Sequence, residues 1–307
     1  MEARLYRYSR AMKNKATYLR LPLLALTLAL CAGSGVSALM PSASAAPAIA
    51  ATPSMPVLPM ASATSRTFPS TCYSNTSPGD STNTYGSFTV SSNIWNPGAA
   101  TAYKQCISAT IQSPGGVTTA EFDWDFTSTN SDVKTYPNLQ FGQQNASQPS
   151  TTSLLPVAIA AMPSLTAMGM ITTACATTAP CYFDSGFDVF FSSTDKPTNL
   201  IEGELMIITS YNFAQPLGGW AATNVSIGGA TYNLRQFEMK SGGRSWPYVA
   251  YYATSPITRI HLDIKDFVTD AVKRGYIPAS YYVDMVELGT EALSGHGITK
   301  ITDFNIQ

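Results

Sequence analysis

From Phe68 onward, apolar and polar residues alternate in short runs separated by turn residues. Phe88-Thr-Val-Ser-Ser-Asn-Ile-Trp95 is representative, with β-branched and aromatic residues set among Ser and Thr. That is the period-two pattern of a half-buried strand. Turn chemistry recurs at Ser113-Pro-Gly-Gly116, Gly218-Gly219, Gly228-Gly229 and Gly242-Gly243. Many strands with such punctuation predict an all-β sandwich or barrel. One segment changes period. Ile264, Phe267, Val268, Ala271 and Val272 fall at i, i+3, i+4, i+7 and i+8, one face of a helix. Asp263 is placed to cap its start, Gly275 can close it in the left-handed conformation, and Pro278 prevents its return. The expectation is an all-β domain with one amphipathic helix on its outer face.

The pattern before Phe68 is different. Arg4, Arg7, Arg10, Lys13, Lys15 and Arg20 precede a short apolar run, Leu21 to Ala32, that ends at Gly33-Ser34-Gly35. This run is too short for a membrane span and reads as an export signal. Ala43 and Ala45 offer an A-x-A cleavage site, so residues 1–45 are expected to be a signal peptide. Residues 46–67 are rich in Ala, Pro, Ser and Met, and their prolines predict an extended linker. The folded domain is then 68–307, secreted to the periplasm or beyond and free of the membrane once the signal is removed. Loss of Cys31 with the signal leaves Cys72, Cys106, Cys175 and Cys181, an even set that reads as disulfides in an exported chain. Three pairings are open. The expected set is Cys175–Cys181, closing a short loop around Pro180, with Cys72–Cys106 stapling an N-terminal strand to its neighbour. A metal site is not expected, because there is no C-x-x-C and His261 and His296 lie apart from the cysteines.

Composition narrows the partners. The formal net charge is −1, with 12% charged, 45% hydrophobic and 11% aromatic residues. Phosphate binding needs clustered Lys and Arg, so a nucleic-acid partner is not expected. An uncharged polymer such as a polysaccharide suits a weakly charged, aromatic-rich chain.

Two acidic stretches carry candidate chemistry. In Glu202-Gly-Glu-Leu-Met-Ile-Ile208, strand alternation puts Glu202, Glu204, Met206 and Ile208 on one face and Leu205 and Ile207 on the other, the natural core face. In Val286-Glu-Leu-Gly-Thr-Glu-Ala-Leu-Ser-Gly295, Glu287, Gly289 and Glu291 share a face. A glycine inside a strand marks a bulge or the close approach of a ligand or chain. Either stretch read alone also fits a strand with solvated charges.

Taken together, the pieces resemble glycoside hydrolase family 12, the β-jelly-roll endoglucanases and xyloglucan-cutting enzymes, from about Tyr85 to the C-terminus. Ser92-Asn-Ile-Trp-Asn-Pro-Gly98 is similar to the family's N-x-W segment, and Gln105-Cys106 follows in place. Phe122-Asp-Trp-Asp-Phe126 resembles W-x-W, and Val133-Lys-Thr-Tyr-Pro-Asn138 resembles V-K-S-Y-P-N. Phe187-Asp-Val-Phe190 resembles Y-D-L-F. Glu204-Leu-Met-Ile207 resembles the nucleophile strand E-[IL]-M-I, and Gln215-Pro-Leu-Gly218 the turn after it. Asp263-Ile-Lys-Asp-Phe267 resembles the start of the single helix, and Gly289-Thr-Glu-Ala-Leu-Ser-Gly295 the acid/base strand G-T-E-P-F-x-G.

The resemblance implies a two-sheet jelly-roll sandwich with a concave substrate cleft, acting as a monomer without cofactor. It implies retaining endo-hydrolysis of β-1,4-glucan, either cellulose-like or xyloglucan. Glu204 is then the nucleophile, Glu291 the acid/base and Asp188 the carboxylate that supports Glu204. Asn93, Trp95, Trp124 and Met206 are implied as substrate-side residues. The chain departs from the family pattern at Ile208, which replaces a Trp, at Phe126, and at Ala292-Leu293, which replaces Pro-Phe or Pro-Trp. These changes remove aromatic surface beside the cleft and keep both carboxylates. The rival expectation is a carbohydrate-binding jelly roll with no catalysis. A serine hydrolase is not expected, because G-x-S-x-G is missing.

Overall fold

The computed structural model describes residues 63–307 apart from 146, 199–200, 214–218 and 242. The expected signal peptide, most of the expected linker and the turn Gln215–Gly218 lie outside these residues. The chain runs through β1 (Thr64–Ser74), β2 (Thr82–Tyr85), β3 (Phe88–Ser91), β4 (Ala102–Ser113) and β5 (Val117–Thr127). It continues through β6 (Asn138–Gly142), β7 (Val157–Ala158), β8 (Thr166–Cys175), β9 (Tyr182–Ser192) and β10 (Gly203–Tyr211). Then come β11 (Ala222–Ile227), β12 (Ala230–Ser241), β13 (Arg244–Ala253), β14 (Arg259–Asp263), α1 (Ile264–Lys273) and β15 (Tyr282–Ile306). β1 begins at Thr64, so residues 64–67, read as the end of the linker, are paired with β4 instead.

Two sheets share one strand. The outer sheet runs β1-β4-β5-β15-β8-β14, and the inner sheet runs β2-β3-β6-β15-β9-β10-β13-β12-β11. The first half of β15 pairs with β6 in the inner sheet, its second half with β5 and β8 in the outer one. The register slips between Ala292 and Ser294, and Gly295 beside it has φ 86°. A left-handed residue costs little only for glycine, and the bulge lets one strand turn from one layer into the other.

The main core lies between the sheets. Leu205 and Ile207 of β10, Phe187 and Val189 of β9, and Val286 and Leu288 of β15 all point into it. The alternate residues of these same strands therefore face the cleft. This matches the alternation read for the Glu204 stretch. The side of Met206 and Ile208 is also buried, in a second cluster with Tyr248, Ala250 and Tyr252.

Helix α1 packs on the core face of β12 and β13. Ile264, Phe267, Val268 and Ala271 are buried, and the Phe267 ring meets Tyr232 and Tyr251 edge-on, with centroids 5.2 and 5.3 Å away. Asp263 caps the helix by accepting from the Lys265 amide, and Gly275 closes it at φ 74°. Cys72 and Cys106 are register partners in β1 and β4 and are bridged, as are Cys175 and Cys181.

Candidate active site

The inner sheet carries a cleft of about 120 Å³, lined by Asn93, Trp95 and Tyr136 together with Asp188, Glu204, Asp284, Glu287 and Glu291. Backbone register explains how residues distant in sequence meet. Asp188 is paired with Met206 on β10 and with Glu287 on β15. Glu204 is paired with Phe190 on β9 and, in parallel, with Tyr248 on β13. Glu291 is paired with Asp184 on β9. Paired residues present their side chains on the same face, so these carboxyl groups gather on one surface.

Glu204 is 2% exposed and receives a 2.8 Å hydrogen bond from Nε1 of Trp246, two residues before its partner Tyr248. Burial pushes its carboxyl up to about 8, the Trp246 hydrogen bond acts against that rise, and the Glu291 charge adds to it. Asp188 is buried at 7% exposure and held well above the usual carboxylate range, first by burial and then by the charges of Glu204, Glu287 and Glu291. Burial and its acidic neighbours favour the protonated form of Asp188, because adjacent carboxylates resist double ionisation. Half-buried Glu291 is also raised well above its ordinary value, by burial first, then by the charge of Asp184 and a hydrogen bond to it. Burial raises both carboxyls, and the Glu291 charge further disfavours ionisation of Glu204.

The segment before β6 fixes Glu291 from outside the sheet. The Lys134 amide donates to the Ala292 carbonyl at 2.9 Å, and the Ala292 amide donates to the Thr135 carbonyl at 3.1 Å. The fully buried Lys134 ammonium donates to the Leu293 carbonyl at 2.8 Å and to Asn130 Oδ1 at 2.6 Å. Gly289 marks the approach of this same segment, because a Cβ there would stand 2.3 Å from the Pro137 carbonyl oxygen. The chain neighbour, and not a ligand, is what the glycine accommodates.

Asn93 and Trp95 stand half-buried in the cleft wall. Asn93 has φ 40°, a left-handed conformation that Asn tolerates better than most residues, and its carbonyl accepts from Tyr136 N and Thr135 Oγ1. Trp124 corrects its expected role. It is 0% exposed, packed against Phe183 with centroids 6.1 Å apart, in a small cluster with Tyr103 and Phe126. No sugar ring reaches it. Met206 is 2% exposed and accepts from the Tyr248 hydroxyl at 3.1 Å, so it forms the floor beneath the cleft instead of its surface.

Asp184, Glu287 and Trp246 were missed as site residues. Asp184 alternates with Gly186 and Asp188, a spacing that places it on the face of Asp188. Glu287 likewise alternates with Glu291, on the same face of β15. Glu287 is 3% exposed, accepts from Asn138 Nδ2 at 3.0 Å and is pushed up to about 8, mainly by burial, with a Gln140 hydrogen bond opposing. A carboxyl raised in the folded state contributes stability fully below its unfolded pKa and loses it as pH rises through the folded value. Glu287→Gln should therefore raise stability at pH 9 relative to wild type, by at most roughly 5 kcal/mol, and change little at pH 4. Thermal melts of both proteins across that range test this; an equal shift at both ends contradicts it.

An all-β sandwich with a groove lined by paired acids and edged by Asn93 and Trp95 has the architecture of a carbohydrate-cleaving jelly roll. The chain belongs to glycosyl hydrolase family 12, whose family model matches residues 86–307. It is 29% identical to a protein named inactive glycoside hydrolase XLP1 from Phytophthora nicotianae, over 68% of this chain and 81% of that one. It is 27% identical to xyloglucan-specific endo-beta-1,4-glucanase A of Emericella nidulans, over 71% and 84% of the two chains. A metagenome-derived family 12 endoglucanase has a crystal structure 28% identical to this chain, with a TM-score of 0.62, covering 78% of this chain and 97% of that one.

Proposed function

We propose that the protein is a secreted, retaining endo-β-1,4-glucanase acting on cellulose-like glucans or xyloglucan. The observation that carries this reading is that Glu204 and Glu291, from strands β10 and β15, line one open cleft beside Asn93 and Trp95. In the first step Glu204 attacks the anomeric carbon, and Glu291 gives its proton to the departing glycosidic oxygen. The product is a covalent glycosyl-enzyme. In the second step Glu291 removes a proton from water, the water oxygen attacks the anomeric carbon, and Glu204 leaves as a carboxylate. Asp188, paired with Met206 two residues from Glu204, stands beside the nucleophile and in its protonated form steers it without adding a second charge. Trp95 offers a flat face to the apolar C–H side of a sugar ring. Beyond the nucleophile, half-buried Tyr211, Phe213, Trp220 and Phe237 pack around Tyr248 and Tyr252. They supply aromatic surface on the side where Ile208 has lost it.

The paired cysteines fit an oxidising compartment outside the cytoplasm. A second reading, glucan binding without cleavage, is favoured by the inactive relative's name. Reducing-end release from a panel of β-glucans, with proton NMR of the first-formed anomer, separates the readings. Hydrolysis that yields the β-anomer first supports the proposal; an α-anomer first contradicts retention; binding without release supports the second reading.

A further inference from the structure

Beside the cleft lies a second hollow of about 390 Å³, against about 120 Å³ in the cleft itself. Gln144 lines both, so the two adjoin. Backbone register places the hollow. Thr84 of β2 pairs with Thr89 of β3, Thr89 with Gln140 of β6, and Gln140 with Glu287 of β15. Phe88, Val90, Leu139 and Phe141 point into the core, so Thr89 and Gln140 between them face the cleft side. The Thr84 and Thr89 hydroxyls share a 2.7 Å hydrogen bond, which puts Thr84 on that side too. The row leads from Glu287 away from β10, and Thr84 stands three strand spacings, roughly 14 Å, along it.

The lining sets the hollow apart from the cleft. Among the described residues it has no charged and no aromatic side chain; Thr82, Thr84, Thr89, Gln140, Gln148 and Thr151 supply hydroxyl and amide groups instead. Gln140 is 5% exposed, and its Nε2 feels the Glu287 carboxyl but completes no hydrogen bond of good geometry. A buried amide donor left this way is costly, and a hydroxyl-bearing ligand relieves it. The outer wall is preformed. The Gly142 amide donates to Thr151 Oγ1 at 2.9 Å, and the Thr151 amide donates back to the Gly142 carbonyl at 3.0 Å. Gln143 Nε2 donates to the Gln148 carbonyl at 2.9 Å.

These features select an occupant. A main-chain sugar ring that lies flat is held through its apolar face by an aromatic, as Trp95 can do in the cleft. The described lining of the hollow offers no such face. Hydroxyls and amides suit a ring approached by its edge, where each sugar hydroxyl can donate and accept. A neutral lining suits a neutral sugar, because a uronate would be desolvated there without a cation. We propose that the hollow binds a neutral sugar branch, carried by a main-chain ring seated in the cleft, and so directs the protein to the branched glucan, xyloglucan, over a cellulose-like one. This rests on the cleft binding a β-glucan.

Thr84 is exposed on the edge strand β2, so Thr84→Trp can fill the hollow without disturbing the core. Binding is read by isothermal titration in the Glu204→Gln background, to prevent turnover. The ligands are a xylosylated cello-oligosaccharide and an unbranched one of equal main-chain length. With the hollow open, the branched ligand should bind at least about 10-fold tighter. Thr84→Trp should remove that preference and leave the unbranched ligand within about twofold. Gln148→Ala, on the exposed loop, should reduce the preference about threefold. In active protein Thr84→Trp should lower kcat/KM for xyloglucan about 10-fold and spare an unbranched β-glucan. Equal binding of the two ligands by the open hollow overturns the proposal. So does equal weakening of both by Thr84→Trp, which would put a main-chain ring there. A branched-ligand preference in a protein that cleaves no β-glucan keeps the hollow's role and sinks the enzymatic reading alone.

Discussion

Glu204→Gln should lower the rate of β-glucan hydrolysis by at least about 10⁴-fold while glucan binding persists, because the amide cannot form the glycosyl ester. The substitution is isosteric, and the amide oxygen can still accept from Nε1 of Trp246, now at 2.8 Å from Glu204. It also removes a buried acid whose ionisation is already unfavourable, so the variant should fold at least as well as wild type. Reducing-sugar release measured beside affinity electrophoresis in glucan-containing gels separates chemistry from binding. Hydrolysis remaining within tenfold of wild type would remove Glu204 from the mechanism.

Glu291→Ala should have an effect that depends on the leaving group. For polysaccharide, the loss of acid assistance should cost about 10² to 10⁴-fold. An aryl glycoside with an acidic phenol as leaving group needs little protonation, so its first step survives. The second step still lacks a base, so the glycosyl-enzyme should accumulate after a burst of phenol. Sodium azide, entering the space left by the side chain, should then restore turnover and yield a β-glycosyl azide. Equal losses on both substrates, with no burst and no azide effect, would mean that Glu291 is not the acid/base.

The periodic parts of the fold were readable in advance. Helix α1 has its cap, buried face and glycine stop where the spacing of Asp263 to Gly275 put them, because those signals are local. The faces of β10 and β15 were likewise set by alternation. Trp124 shows the limit. Alternation puts it on a face of β5, but only the packing of Phe183 and Tyr103 closes that face to solvent. Trp246 reaches Glu204 because β10 and β13 run parallel, a pairing that no spacing in the sequence reveals. Asp184 was in reach of the same alternation that found Asp188; what the sequence hid was its pairing with Glu291, fixed by a register 107 positions long. The linker boundary moved because the four residues from Thr64 find ladder partners on β4, and backbone pairing outweighs composition there.

Because β15 is one continuous strand of 25 residues, the acid and the outer sheet stand on the same rail. Glu291 lies midway along it, with the inner sheet holding one end and β5 and β8 gripping the other. Fraying of the outer layer on heating should therefore pull on Glu291 directly, through the strand they share. Loss of turnover and loss of the fold's circular-dichroism signal should fall on one melting curve, and trimming the C-terminal residues Phe304 to Gln307 should slow catalysis from a distance.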